Sequence, residues 1–274
     1  MIFYAPAKVN LSLHVLGKRA DGFHELETLM VPLPGLVDRL AIEKAEAFSF
    51  SCDLPDLPVD EGNLVVKAVR LFEARTALDC RVRISLGKTI PHGAGLGGGS
   101  SDAAVCLLAL NKLTKAGVSM ADLLVWAGEL GSDVPFFLHD RPCWCRGRGE
   151  LVEPIEASLD RQVVLLKPAF GVSTPDAYGR WEGSQELPGV EYGTQTVSGI
   201  DLVNDLERPV FEKHLFLAEM KMWLLAQEGV EAALMSGSGS TMMAILAKGG
   251  DGASLVASAQ SELDPKLWAW VGEA

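Results

Sequence analysis

A glycine-rich loop, a lysine and an asparagine two residues apart, and an isolated aspartate are the groups here whose types and spacing suit phosphate chemistry. The loop is the clearest. It runs Pro91-His92-Gly93-Ala94-Gly95-Leu96-Gly97-Gly98-Gly99-Ser100-Ser101-Asp102 and enters an apolar run (Ala103, Ala104, Leu107, Leu108, Leu110) at helical spacing. Glycine opens backbone conformations and close approaches denied to other residues. Ser100, Ser101 and Asp102 are good N-caps, so a helix is expected to start there. Free amides and the helix dipole at such an N-terminus attract an anion, typically a phosphate. A mobile linker would not end in caps and a long apolar helix. A Walker A loop is excluded because no lysine lies between Lys88 and Lys112. Gly93, Gly95 and Gly98 match the dinucleotide spacing, but Ile90-Pro91-His92 separate them from the preceding strand.

Lys8 and Asn10 sit in Lys-Val-Asn-Leu-Ser-Leu-His-Val, where Val9, Leu11, Leu13 and Val15 alternate with polar residues. That pattern is a half-buried strand, and its pleat puts Lys8 and Asn10 on one face. The face is either a solvated surface or a pair able to hold a phosphate and a hydroxyl. Asp133 follows a helix end in Gly-Ser-Asp-Val-Pro-Phe-Phe, which suits a turn or cap aspartate as well as a catalytic carboxylate. The turn Gly17–His24 carries Lys18, Arg19, Phe23 and His24, so it offers cations to phosphate and a ring to a flat base, or simply a plug for the core. Asn63 is the expected N-cap of a helix to Thr76.

These groups need elements to hold them. Further strands are expected at 38–44, 81–86, 163–166, 232–234, 242–246 and 268–271. Helices are expected after the glycine loop, over 119–130, from Pro209 to about Gln227 and over 253–263. A second glycine-serine loop, Ser236-Gly-Ser-Gly-Ser240, either closes over the first or turns a hairpin. Helices and strands mix without strict βαβ alternation, which favours an α+β fold. Pro154 marks a boundary between an expected N-terminal domain, 1–154, and a C-terminal one, 155–274. The 274 residues are 48% hydrophobic with a net charge of −12, an ordinary globular composition that lacks the basic footprint of a nucleic-acid binder. No apolar run is long enough for a membrane helix, and the start lacks a signal-peptide pattern. Five cysteines, an odd number without zinc or redox spacing, point to reduced thiols and a cytoplasmic protein.

Taken together the segments resemble the GHMP superfamily of small-molecule kinases, which includes galactokinase, homoserine kinase, mevalonate kinase and phosphomevalonate kinase. The resemblance rests on Ala5-Pro-Ala-Lys-Val-Asn-Leu11, Arg19-Ala-Asp-Gly-Phe-His24, Pro91 to Ala104, Leu130-Gly-Ser-Asp-Val-Pro135, Asn204-Asp-Leu-Glu207 and Ser236 to Ser240, in the family's order along nearly the whole chain. The opening segment and the Asp-Gly-Phe-His turn are similar to the branch whose acceptor is a cytidine-diphosphate-linked methylerythritol, in non-mevalonate isoprenoid synthesis. The resemblance implies two α+β domains, the first binding ATP and the second on the acceptor side, with the site in the cleft between them. It implies transfer of the ATP γ-phosphoryl to a tertiary 2-hydroxyl, with Mg²⁺ accompanying ATP and no protein ligand assigned to it. Lys8 and Asp133 match the catalytic pair. Pro91 to Ser101 match the ATP-phosphate loop, and Asn63 a position near adenine. Asn10, Phe23, His24 and Tyr178 match acceptor contacts: Phe23 and Tyr178 for the two faces of cytosine, His24 for its hydrogen bonds. Phe23 stands where tyrosine is common. Asp102 stands where asparagine is common, which places negative charge by the loop and is expected to weaken ATP binding. The implied partners are small molecules, with no nucleic acid and no membrane, and the chain is expected to be a monomer or weak homodimer. A sibling kinase of homoserine, mevalonate or a sugar, and a non-catalytic sensor of the same fold, are the alternatives.

Overall fold

In the computed structural model, which describes all 274 residues, two long antiparallel strands carry the fold: β1 (Ile2–Lys18) and β2 (His24–Lys44). Their pairing slips at three places, one of them between Asn10 and Ser12. There follow β3 (Ser49–Cys52), α1 (Leu64–Thr76), β4 (Val82–Gly87), α2 (Gly98–Thr114), α3 (Met120–Leu130), β5 (Cys143–Gly147), β6 (Leu151–Pro154) and β7 (Gln162–Lys167). The rest comprises α4 (Thr174–Arg180), β8 (Gln195–Val197), β9 (Ile200–Asn204), α5 (Glu207–Lys213), α6 (Leu215–Leu225), β10 (Val230–Met235), β11 (Met242–Leu246), α7 (Gly252–Glu262) and β12 (Trp268–Glu273).

The strands form two sheets. One runs β3-β4-β2-β1-β9-β8, with β5 paired to a different stretch of β2 and β6 to β5. The other runs β10-β11-β7-β12 and is antiparallel throughout. The α+β class expected from the sequence is the one observed. Strands β8 and β9 come from the second half of the chain yet complete the first sheet, with β9 parallel to β1.

Three apolar clusters follow from strand alternation. Val163 and Leu165 of β7 face Val9, Leu11 and Leu33 between the sheets. Val164 and Leu166, on the opposite pleat, join Phe211, Leu217 and Met220 under α5 and α6. The third cluster lies between the first sheet and α1–α3, around Phe72, Ile84, Leu107 and Phe136. The sheet containing β1 is therefore covered on both faces, and its polar pleat is not the solvated surface that alternation alone allows.

The helix expected from Pro209 to Gln227 is two helices. The break is at His214 (φ −126°, ψ 70°), whose ring stacks on Phe170 with centroids 5.2 Å apart. The break lets α6 turn back on α5, which sets Lys221 against Glu207 with Nζ to Oε2 at 2.6 Å, both side chains 2% exposed. Glu207 also accepts from the Met235 amide at 2.8 Å, so this buried pair anchors the end of β10. Replacing Lys221 with methionine leaves that carboxylate buried without its counter-ion. Lys221→Met is expected to cost about 3–5 kcal/mol of unfolding free energy, read as a lower urea midpoint with unchanged slope.

Candidate active site

A cavity of about 680 Å³ lies where β1, the glycine loop, the turn before β2, the turn after α3 and the β10–β11 loop converge. Lys8, Asn10, Phe23, His24, Asn63, Asp133 and Tyr178 all line it, as does every loop residue from Pro91 to Ser100. Ser101 does not. It is fully buried, on the same helix face as Val105, and its hydroxyl has no partner.

The helix after the loop starts earlier than its polar residues suggest. Gly97, at φ +70°, is the N-cap of α2, and no side chain caps it. A side chain at Gly97 would be excluded on space as well, since its Cβ would lie 2.7 Å from Phe137 Cζ and 3.0 Å from Lys8 Cγ. The amides of Gly98, Gly99 and Ser100 therefore have neither an intrahelical carbonyl nor a capping oxygen, which leaves them for an anion. Asn63 does cap α1, accepting from the Val65 amide at 2.9 Å.

The second glycine-serine loop is both a hairpin turn and a roof. It joins β10 to β11, and Ser236 Oγ donates to the Gly95 carbonyl at 3.1 Å while the Thr241 amide reaches Ala94. A Cβ on Gly95 would sit 2.1 Å from the Ser236 carbonyl oxygen, so only glycine permits the approach. The Asn204–Glu207 segment fixes this roof from behind. Asn204 Nδ2 donates to the carbonyls of Met235 (2.6 Å) and Gly237 (2.7 Å), and Asp205 accepts from the Val15 amide of β1.

Lys8 is 3% exposed and Asn10 1%. The Lys8 backbone amide donates to Leu96, its stem lies along Gly97, and its ammonium meets Asn10 Oδ1 at 2.5 Å and Asp133 Oδ2 at 3.6 Å. Asp133 is held on a tight turn by the bonds Gly131 N to Ala127 O and Val134 N to Gly131 O, and remains one-third exposed toward the cavity. This arrangement presents one cation and one carboxylate side by side at the mouth of an anion cradle.

Sequence reasoning missed a second cluster, Asp38–Lys88–Asp102. Lys88 Nζ contacts Asp38 and lies 2.8 Å from Asp102 Oδ2, and all three side chains are at most 4% exposed. Asp38 also accepts from the amides of Thr89 and Ile90, tying the strand before the loop to β2. The Asp102 carboxylate is thus answered by a lysine inside the protein, which corrects the expectation of a bare charge beside the phosphates. Burial pushes the Asp102 carboxyl up to about 7, with Lys88 opposing and Asp38 adding to the rise. Burial opposes the charge on Lys88, but the two carboxylates outweigh it and raise the ammonium's pKa. The usable signal was Lys88 three residues before Pro91; Asp38 gives none, as it reads as an ordinary strand residue.

Aromatic groups gather at the other end. His24 stacks on Tyr178 with centroids 5.4 Å apart and meets the edge of Trp181 at 6.1 Å. Burial, with the Asp133 charge second, pushes the Tyr178 phenol well above its usual range. Phe23 is half-exposed and covered on one face by the Arg148 guanidinium, 4.8 Å from the ring centroid. Lys18, one of the two cations of the Gly17–His24 turn, lines the cavity, and so does Arg148, which was not singled out from the sequence although the run Arg146-Gly-Arg148-Gly-Glu150 was visible.

The chain resembles known proteins along its whole length. A family model described as the GHMP kinases N terminal domain matches residues 63–141. The 4-diphosphocytidyl-2-C-methyl-D-erythritol kinase of Methylacidiphilum infernorum (isolate V4) is 42% identical over 97% of this chain and 93% of its own. That of Protochlamydia amoebophila (strain UWE25) is 41% identical over 88% and 83%. A crystal structure of 4-(cytidine 5'-diphospho)-2C-methyl-D-erythritol kinase covers both chains completely, with TM-score 0.79 and 37% identity. A mevalonate kinase from L. major shares the fold alone, with TM-score 0.67 and 14% identity over 100% of this chain and 96% of its own. The fold, the glycine cradle and the full-length identity agree: this chain belongs to the 4-diphosphocytidyl-2-C-methyl-D-erythritol kinase family of GHMP kinases.

Proposed function

We propose that the protein transfers the γ-phosphoryl group of ATP to the 2-hydroxyl of 4-diphosphocytidyl-2-C-methyl-D-erythritol. The observation that carries this reading is the Lys8–Asp133 pair, placed between the uncapped helix start and the aromatic end of one cavity. Phosphoryl transfer is catalysed mainly by positioning and electrostatics, and the pair supplies both. The acceptor hydroxyl lies between Asp133, which orients it and takes its proton, and Lys8, which offsets charge developing on the transferred group. Residues Pro91 to Ser100 hold the phosphates through their amides, and Asn63 lies beside the adenine. Asn10 contacts the acceptor. His24 and Tyr178 form a wall for the cytosine, and Phe23 stacks on its ring.

The two carboxylates facing the cavity, Asp102 and Asp133, are each already ion-paired with a lysine. That donor set would suit a Mg²⁺ ion that arrives with ATP, and no side chain is assigned to it. When bound, the ion neutralises charge across the phosphates. No helix is long and apolar enough to cross a membrane. Five unpaired thiols support a reducing, cytoplasmic setting.

The direct test is ADP release from ATP and Mg²⁺ with four acceptors: the cytidyl-diphospho-methylerythritol, homoserine, mevalonate and galactose. Turnover with the first alone is expected. Turnover with another acceptor keeps the kinase and discards the cytosine wall; ATP binding without any turnover favours a sensor. Asp133→Asn is expected to lower kcat by about 10²–10⁴-fold while ATP affinity, measured by calorimetry, stays near that of the parent.

Asp102→Asn tests the buried triad. The folded carboxyl titrates near 7 and the unfolded one near 3.8, so the folded state holds the extra proton between those values. That contribution is fully present below the unfolded value and is lost as pH rises through the folded one. The variant lacks this loss. Its stability relative to the parent, from urea titrations, is therefore expected to rise from pH 4 to pH 8, with ATP affinity at neutral pH unchanged or tighter.

A further inference from the structure

β2 places in the cavity a residue that has no part in the account above. Thr28 is 1% exposed and lines the cavity beside Asn10. Its hydroxyl donates to the Ser12 carbonyl at 2.6 Å and accepts from Asn10 Nδ2 at 2.8 Å. A hydroxyl has a single proton. Once that proton is committed to Ser12, Thr28 can only accept from Asn10, so the amide nitrogen of Asn10 must face Thr28. The amide oxygen then faces Lys8 Nζ, which has only hydrogens to offer. Turned the other way, the amide would present its own N–H groups to the ammonium.

The backbone explains why the Ser12 carbonyl is there to accept. Pairing between β1 and β2 slips between Asn10 and Ser12, so the ladder is interrupted at this point. Two side chains repair it: Ser12 Oγ accepts from the Leu29 amide at 3.2 Å, and Thr28 Oγ1 satisfies the Ser12 carbonyl. The irregularity thus leaves the carbonyl that orients the Thr28 hydroxyl facing Asn10.

We propose that Thr28 is a positioning residue for phosphoryl transfer, setting through Asn10 the place of the Lys8 ammonium relative to Asp133. The inference rests on the reading of Lys8 and Asp133 given under Proposed function. Without the Thr28 hydroxyl, the Asn10 amide loses its fixed sense and Lys8 loses its fixed acceptor. The ammonium stays buried but no longer holds one position. Such a fault acts on the transfer step and leaves the phosphate cradle intact, since no loop residue from 91 to 99 bonds to Thr28.

The experiment measures steady-state kinetics and Tm for Thr28→Val, Thr28→Ala, Thr28→Ser, Asn10→Ala and the double variant Asn10→Ala/Thr28→Val. Lys8→Met and Asp133→Asn are run alongside. Thr28→Val and Thr28→Ala are expected to lower kcat by about 10- to 100-fold, as a misplaced catalytic group does, with KM for ATP within about threefold of the parent. Thr28→Ser keeps the hydroxyl and is expected to restore kcat. The double variant is expected to be no slower than Asn10→Ala alone, because the chain of bonds is already cut. Normal kcat in Thr28→Val overturns the proposal, as does a loss that Thr28→Ser fails to rescue or that adds fully to the loss in Asn10→Ala. A residue of purely structural worth would lower Tm and shift KM and kcat together. If Lys8→Met and Asp133→Asn turn over normally, the reading of the catalytic pair falls. If they are inactive while Thr28→Val is normal, only the role of Thr28 falls.

Discussion

An ammonium group taken out of water must be surrounded by acceptors, and Lys8 imposes that demand at the middle of a strand. The site answers it from four directions. Asn10 supplies an amide oxygen, Asp133 a carboxylate, Gly97 the space for the stem, and the β10–β11 loop a roof whose Gly237 leaves room for Nζ. Two of these suppliers are themselves tied elsewhere, Asn10 to Thr28 and the roof to Asn204, and the Lys8 backbone is tied to Leu96. The same bonds that make the buried cation tolerable hold it against the phosphate cradle, so stability and positioning come from one set of contacts.

Charge is arranged against the character of the molecule as a whole. The chain carries a net charge of −12, yet its cavity is lined by Lys8, Lys18, Lys88 and Arg148 against only Asp102 and Asp133. A cleft lined mostly by one sign concentrates field lines and draws in ligands of the other. Lys88 is balanced within its own triad and contributes rigidity to the strand-to-loop junction rather than attraction. The exposed acidic surface limits attraction of anions anywhere else, which leaves the cleft as the favoured destination for two phosphate-bearing substrates.

The local half of this organisation was legible in the sequence. The glycine loop, the alternating strand with Lys8 and Asn10, the Asn63 cap and the helix over 119–130 are all short-range patterns, and each maps onto the structure. Patterns failed where geometry outranked residue preference. Ser100, Ser101 and Asp102 are good caps by type, but Gly97 takes the position because the chain must turn at positive φ close to Phe137. The break at His214 has no proline or glycine to announce it. Asp38 and Thr28 were invisible for another reason: each looks like an ordinary strand residue until β2 is folded against β1 and α2. Which side of a strand meets solvent is decided by a second sheet whose residues begin well over a hundred positions later.

The parallel pairing of β1 with β9 bears on how the molecule is made. Ser12 and Leu13 pair with Val203 and Asn204, so an edge of the first strand stays open while most of the chain is synthesised. An open strand edge is a template for pairing with another chain, and contacts so distant in sequence form late. The roof over the phosphate cradle arrives later still, at residues 236–240. A nascent chain therefore carries Lys8 and its glycine loop long before it can organise either, and shielding that edge on the ribosome becomes as much a requirement of this fold as the chemistry it finally performs.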